Sequence, residues 1–134
     1  MSLLCYLFGH KLHKANRPLV GFRCTRCTYW NIPKILIESP FAGDVATHII
    51  YARRAMKDSF ARGEAPWCSH LIYTQEGILD DTISGERAQG IEAGLLWGSY
   101  ADITAVYTDY GISRGMKQGI ARADKEKDKR AAAS

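Results

Sequence analysis

The segment Ile103-Thr-Ala-Val-Tyr-Thr-Asp-Tyr-Gly-Ile-Ser-Arg-Gly-Met116 carries the strongest structural signal in this chain. Its first half is apolar and β-branched, which predicts a buried strand. Its second half contains Gly111 and Gly115, which allow close approach to the backbone, and Ser113, a favoured helix N-cap. A strand that leads through such a turn into a helix N-terminus is a typical anion-binding arrangement. The alternative is an ordinary turn in which small residues serve geometry alone.

A second segment, Lys34-Ile-Leu-Ile-Glu-Ser-Pro-Phe-Ala-Gly-Asp44, follows the same pattern. Its apolar run also ends in small residues, and Asp44 can cap a helix that Gly63 would end. In open α/β sheets, ligands bind outside the carboxyl ends of neighbouring parallel strands. The two turns together therefore predict a small-molecule site between them.

The region 34–124 is predicted to alternate strands and helices. Beyond the two turns we expect a short strand or extended segment at 65–70, a helix at 84–100, a strand at 103–108 and a helix at 113–124. This order predicts a small α/β domain of the flavodoxin or Rossmann type, with helices on both faces of a short parallel sheet in three layers. The charged residues 125–134 are predicted to form a frayed helix end or a disordered tail.

Length and charge limit the classes of function. A chain of 134 residues holds one compact domain and a small additional module. The net charge of +4 arises from residues 1–33 and from the tail, so it does not indicate that the main domain binds nucleic acid. No apolar segment reaches membrane-spanning length, and the N-terminus lacks the pattern of a signal peptide. These features predict a cytoplasmic protein with no membrane partner.

The N-terminal residues 1–33 contain a candidate structural zinc module. A C-x₂-C knuckle and an upstream cysteine–histidine pair give a Cys₃His set that suits tetrahedral Zn²⁺. The four proposed ligands are Cys5, His10, Cys24 and Cys27. His13 is the alternative fourth ligand, and Cys68 is predicted to be a buried thiol. A module of this size cannot bury enough surface to fold alone, so the metal would supply the missing stability.

Four motifs are spread along the main domain: Ile35-Leu-Ile-Glu-Ser-Pro-Phe-Ala-Gly43, Pro66-Trp-Cys-Ser-His70, Ala101-Asp-Ile-Thr-Ala-Val-Tyr-Thr-Asp109 and Ser113-Arg-Gly-Met116. Together they resemble the nucleoside 2-deoxyribosyltransferase superfamily, and in particular its small, often phage-encoded branch. The resemblance covers about residues 34–123. The segments around Cys5 and Cys24 likewise resemble small zinc-ribbon proteins encoded in prophages.

The superfamily resemblance implies a nucleoside or nucleotide site, and it also implies a change in chemistry. Related enzymes use a glutamate on the last helix to attack the anomeric carbon, and the matching position here is Gly119. A glycine cannot form the covalent glycosyl intermediate. Asp109 matches an acidic position near the sugar. Glu92, on the preceding helix, is the other candidate catalytic carboxylate, with a solvent-facing helical residue as the alternative.

The predicted ligand-binding residues are Ser39, Phe41, Gly43, His70, Tyr73, Asp109, Ser113, Gly115 and Met116. His70 would contact a phosphate or a base, or serve a structural role. Tyr73 and Phe41 would stack on a base, with core packing as the alternative for Phe41. The Asp80-Asp81 pair is a candidate for binding a divalent metal ion. The alternative is a capped, solvated loop.

Three functions are compatible with these patterns. The first is a nucleotide- or nucleoside-binding protein that has lost glycosyl transfer, for example a phage protein of the host cytoplasm that sequesters or senses a nucleotide signal. The second is an active N-glycosidic-bond hydrolase or deoxyribosyltransferase. The third is an adaptor whose zinc module binds nucleic acid or protein. A stripe of Gly90, Gly94 and Gly98 also predicts a homo-oligomer, unless the stripe packs on the chain's own sheet.

Overall fold

The computed structural model describes residues 12–15, 21–24 and 30–132, with side chains from Ile32 to Glu126. The N-terminal part contains a three-stranded antiparallel sheet in the order β1-β2-β3. Its strands are β1 (Leu12–Ala15), β2 (Gly21–Cys24) and β3 (Trp30–Asn31). Cys24 is the last residue of β2 and lies opposite Leu12 of β1.

The rest of the described chain forms an α/β unit around a second, parallel sheet in the order β5-β4-β6. The strands are β4 (Lys34–Glu38), β5 (Ala65–Trp67) and β6 (Ile103–Val106). The helices are α1 (Val45–Ala61), α2 (Ser69–Tyr73), α3 (Ser84–Gly98) and α4 (Arg114–Ala132). The predicted α/β class with a short parallel sheet is therefore confirmed.

The central strand β4 is hydrophobic because it is covered on both faces, as parallel strands usually are. Ile35, Leu36 and Ile37 are all buried. Ile35 and Ile37 belong to one core cluster with Ala52 and Ala55 of α1. Leu36 points the other way, where its Cδ2 atom would lie 2.8 Å from a Cβ added at Gly98 of α3. Successive side chains of β4 thus contact helices on opposite sides of the sheet.

The caps predicted for α1 are present. The Asp44 carboxylate accepts a hydrogen bond from the Thr47 backbone N–H at 3.2 Å, which fixes the start of the helix. Gly63, with a φ of +74°, follows the end of α1 and lets the chain turn back into β5. This connection brings β5 beside β4, parallel to it.

The glycine stripe of α3 packs within the chain. A Cβ at Gly94 would lie 2.8 Å from the Ser69 Oγ of α2, and Gly98 lies against Leu36. Gly90 lies near Leu79, which would be 3.3 Å from an added Cβ. Gly98 thus packs on the chain's own sheet, which was the alternative given for the stripe, whereas Gly94 packs on helix α2 and Gly90 lies against Leu79. The stripe therefore gives no reason to expect a second copy.

Two elements differ from the sequence-based prediction. Within the segment expected to be a strand or extended, residues 65–67 form β5, but the short helix α2 begins at Ser69, where the side chain packs against Gly94 of α3. Helix α4 continues past residue 124 to Ala132, through most of the segment predicted to be frayed or disordered. Among the described residues, none of the helices is both long enough and apolar enough to cross a membrane.

Candidate ligand-binding cleft

A cleft of about 180 Å³ opens at the carboxyl end of β4. Its walls come from the β4–α1 turn, from α2, from α3 and from the first turns of α4. The cleft is lined by Glu38, Ser39, Phe41, Ala42, Ser69, His70, Tyr73, Thr74, Leu79, Asp81, Glu86, Arg87, Gly90, Ile91, Gly94, Leu95, Ser113, Arg114, Gly115, Met116 and Gly119. Its position is the one at which open α/β sheets bind ligands.

One wall is a polar pair set among apolar groups. The Ser39 Oγ and the His70 Nε2 lie 3.1 Å apart, and the Phe41 ring stacks obliquely on the imidazole with centroids 5.3 Å apart. Burial lowers the pKa of His70 to about 4, helped by the neighbouring His48. His70 is therefore neutral at physiological pH and offers one donor and one acceptor. Such a weak base does not activate Ser39 as a nucleophile, so the pair suits ligand binding.

Glu38 is the last residue of β4, and its carboxyl group borders the cleft. Burial raises its pKa to about 7. Within the described part of the chain, no hydrogen bond or ion pair satisfies this carboxyl group. A Cβ added at Gly119 of α4 would overlap it, so the missing side chain at that position makes the space that Glu38 occupies. The carboxyl group is thus half protonated near neutral pH and remains available to a ligand.

The N-terminus of α4 forms another wall of the cleft. The Met116 backbone N–H donates to the Ser113 Oγ at 3.2 Å, which is the N-cap predicted from the sequence. The Arg114 and Gly115 N–H groups have no acceptor among the residues that the structure describes. Unsatisfied N–H groups, the positive end of the helix dipole and the Arg114 guanidinium together favour an anionic group at this wall.

The other charged groups on the cleft wall are already engaged. Arg87 forms an ion pair with Asp81. The Glu86 carboxylate accepts a hydrogen bond from the Asp80 N–H at 2.6 Å. The Asp80 carboxylate accepts hydrogen bonds from Thr82. The Asp80-Asp81 pair is therefore a capped, ion-paired loop, the alternative that we gave to a metal site.

The structure brings seven of the nine predicted ligand-binding residues to this cleft: Ser39, Phe41, His70, Tyr73, Ser113, Gly115 and Met116. Gly43 is exposed in the β4–α1 turn and does not line the cleft. Asp109 borders a separate depression, where its carboxylate accepts a 2.5 Å hydrogen bond from the Tyr51 hydroxyl. Glu92 is exposed on α3 and also does not line the cleft. Neither proposed catalytic carboxylate is therefore placed beside the predicted ligand contacts.

Sequence reasoning did not include Glu38 among the site residues. A glutamate at the end of an apolar run is typical of the solvent-exposed end of a strand. The packing of α4 against Glu38, which covers its carboxyl group, is visible only in the structure. One signal was present: Glu38 closes a predicted central strand at the edge where ligands bind, and Gly119 lies on the helix expected at the same edge. Glycine in the middle of a helix costs about 1 kcal/mol relative to alanine, so it indicates a packing requirement.

Three of the four proposed zinc ligands, Cys5, His10 and Cys27, lie outside the described residues. Cys24 is described at the level of the backbone, as the end of β2. Among the residues that are described, none of the histidine, cysteine and acidic side chains form a group of three that could hold a metal ion. Cys68 is fully buried, as predicted, and burial raises the pKa of its thiol to about 12.

Comparison with known proteins identifies the family to which this chain belongs. A family model described as "Domain of unknown function (DUF7768)" matches residues 33–132. The match begins one residue before β4 and ends with α4, so it includes the parallel sheet and every wall of the cleft. No curated protein and no solved structure gave a significant match. Because the family model covers more than half of the sequence, the chain belongs to the DUF7768 family.

Proposed function

We propose that this chain binds a nucleotide or nucleoside in the cleft at the carboxyl end of β4. The observation that carries the proposal is that one cleft combines an anion-binding helix N-terminus with a neutral polar wall. The α4 N-terminus, with Ser113 and Arg114, suits a phosphate. The Ser39–His70 pair suits hydroxyl groups or a base edge, and Phe41 and Tyr73 offer ring faces.

The distribution of charge supports a ligand with one anionic end. Arg87 compensates the charge of Asp81 on the cleft wall, and the Glu86 carboxylate accepts a hydrogen bond from the Asp80 N–H. Arg114 is the cationic side chain on the wall for which no ion pair is found in the described part of the chain. This proposal also includes the relationship to nucleoside 2-deoxyribosyltransferases that the motifs imply, and the flavodoxin- or Rossmann-like three-layer architecture that the order of strands and helices predicts. A role in sequestering or sensing a nucleotide signal is likewise part of it.

Calorimetry with nucleosides, nucleoside monophosphates, ribose 5-phosphate and inorganic phosphate tests the proposal. We expect binding of at least one nucleotide, and Ser113→Ala should weaken it by roughly 1 kcal/mol, or about fivefold. Gly85→Ala is a matched control on α3, since a Cβ there meets nothing within 4 Å and the residue does not line the cleft. Failure of every nucleoside and nucleotide to bind would remove the proposal.

The enzymatic alternative receives less support from the cleft. Hydrolysis of a glycosidic bond by the common mechanisms uses two carboxyl groups that flank the bond. Glu38 is the one cleft carboxyl left unengaged in the described part of the chain, while Asp109 and Glu92 lie elsewhere. We therefore expect chromatography to detect no base released from nucleosides or nucleoside monophosphates above the rate without protein. Efficient release that Glu38→Gln abolishes would promote the enzymatic function instead.

We further propose that residues 1–33 bind one structural Zn²⁺ through Cys5, His10, Cys24 and Cys27. Supporting this, β2 ends at Cys24, so the C-x₂-C knuckle begins where the strand stops in a small antiparallel sheet. Elemental analysis of protein purified without chelators should give one zinc per chain. Protein free of zinc would contradict the assignment. A zinc-bearing module is also what the adaptor hypothesis requires, but the described cleft favours the small-ligand function.

A homo-oligomer remains a proposal without the glycine stripe as its basis. Leu96, Trp97 and Tyr100 of the α3 end are more than half exposed and offer an alternative contact surface. Analytical ultracentrifugation at micromolar concentration tests the state directly. A monomer would exclude the oligomer, and Trp97→Lys should dissociate one if it forms through this surface.

A further inference from the structure

We propose that Glu38 contacts the bound ligand as a neutral carboxylic acid, in a space that exists because residue 119 is a glycine. This inference rests on the proposed function and specifies what the inner end of the cleft recognises. Glu38 lies at the end of β4 and lines the cleft, and Gly119 faces it from α4. A side chain as small as alanine at position 119 would overlap the Glu38 carboxyl group.

Glu38 forms no ion pair with the charged groups that the structure describes around the cleft. The titratable and charged groups around the cleft are Cys68, His70, Tyr73, Asp81, Glu86, Arg87 and Arg114. Arg87 is paired with Asp81, and Glu86 is held by the Asp80 N–H. Burial alone raises the pKa of Glu38 to about 7, while those of His70 and Cys68 lie near 4 and 12. Of Glu38, His70 and Cys68, only Glu38 therefore changes charge close to neutral pH.

A neutral carboxyl group selects a different part of the ligand from the helix N-terminus. It presents an O–H donor and a C=O acceptor side by side, which match an uncharged group with a neighbouring acceptor and donor. A phosphate would instead favour the α4 N-terminus. Arg114 and Gly119 are five residues apart on α4, which corresponds to about 7.5 Å along a helix. The cleft therefore suits a molecule with an anionic group at one end and a neutral hydrogen-bonding group about that far away, as in a nucleotide.

Binding should therefore be coupled to protonation of Glu38. If the ligand binds the protonated form, affinity falls above pH 7 and approaches about a tenfold loss for each further pH unit. Glu38→Gln keeps a neutral donor and acceptor, so its affinity should stay constant over the same range. Gly119→Ala should displace the carboxyl group from the cleft, weaken binding and flatten the pH profile. The matched controls, Glu76→Gln in an exposed loop and Gly85→Ala on α3, should keep the wild-type profile.

Calorimetry from pH 7 to 9 tests the inference with the full-length, zinc-replete chain. The ligands are nucleoside monophosphates, ribose 5-phosphate and inorganic phosphate. A pH profile shared by nucleotides and ribose 5-phosphate would place the Glu38 contact at the sugar, whereas a profile confined to nucleotides would place it at the base. Binding with the same pH profile in wild type and Glu38→Gln would overturn the inference and leave the proposed function standing.

A second measurement tests, without any ligand, the premise that Glu38 is an accessible neutral acid in the cleft. A protonated carboxyl group adds across one C=N bond of dicyclohexylcarbodiimide to give an O-acylisourea. This adduct rearranges by an O-to-N acyl shift to a stable N-acylurea, which mass spectrometry locates. Labelling of Glu38 near pH 6.5 that is lost above about pH 8.5 would show an accessible neutral acid in the cleft. If no nucleotide binds but Glu38 is labelled in this way, the proposed function fails, whereas the assignment of Glu38 as an accessible neutral acid stands. Absence of labelling at Glu38 would overturn the inference as well.

Discussion

Glu38 ends strand β4 and Asp109 follows strand β6 of the same parallel sheet, yet the structure gives the two residues opposite environments. Asp109 is exposed, accepts a hydrogen bond from the Tyr51 hydroxyl at 2.5 Å and returns its own N–H to that oxygen at 3.0 Å. Glu38 is half-buried, borders the cleft and has no hydrogen-bond partner for its carboxyl group in the described part of the chain. The availability of a carboxyl group to a ligand thus depends on what already satisfies it, and position in the sequence does not reveal this.

The largest expected effect is on the pH dependence of stability, and it is expected at Glu38. A carboxyl pKa raised from 4.5 to about 7 means that the folded state holds the proton more tightly, so ionisation destabilises the fold. The stabilising contribution of the protonated group is complete below pH 4.5 and is lost as pH rises through 7. Glu38→Gln should therefore raise the free energy of unfolding by up to roughly 3 kcal/mol near pH 9 and change little near pH 4.

The test compares the stability of Glu38→Gln with that of the wild type at each pH, because the titration of His70 changes stability with pH in the opposite direction. Its pKa is lowered from 6.5 to about 4, so its neutral form stabilises the fold above pH 6.5 and this contribution is lost as pH falls through 4. Between about pH 4 and pH 7, the opposite effects of Glu38 and His70 on the free energy of unfolding partly cancel in the wild type. Urea denaturation of both proteins across this pH range measures the difference, and a pH-independent difference would show that Glu38 has an ordinary pKa.

A smaller effect is expected at Asp109. Asp109→Asn weakens a charge-assisted hydrogen bond at an exposed site, so it should cost about 1 kcal/mol of stability. Because Asp109 borders a different depression, nucleotide affinity should change by less than about twofold. Parallel denaturation and calorimetry check both statements. A large loss of affinity with unchanged stability would instead support the ligand contact predicted from the motif.

The smallest effect is expected at Glu92, the other carboxylate proposed for catalysis. It is exposed on α3 and away from the cleft, and surface substitutions of this kind usually change stability by less than about 0.5 kcal/mol. Glu92→Gln should therefore leave the unfolding curve and nucleotide affinity as in the wild type. A clear change in affinity would mean that the ligand extends beyond the cleft along α3.

Local patterns predicted the sheet and most of the cleft. The apolar runs of β4 and β6, the Asp44 and Ser113 caps and the Gly63 stop were readable because each depends on residues close in sequence. The packing partners of the α3 glycines and the presence of α2 could not be predicted in this way, since both depend on contacts between distant segments. Glu38 depends on a contact with a helix 81 residues away, and its sequence neighbours suggest nothing unusual.

Nuclear magnetic resonance of the ¹⁵N-labelled chain during titration with nucleoside monophosphates tests the central claim most directly. If the cleft is the ligand site, the largest shifts should occur at the backbone amides of Ser39, His70, Arg114 and Gly115, with small shifts at Asp109 and Tyr110. Shifts centred on Tyr51, Asp109 and Tyr110, or no shifts with any nucleotide, would contradict the assignment of the cleft as a nucleotide site.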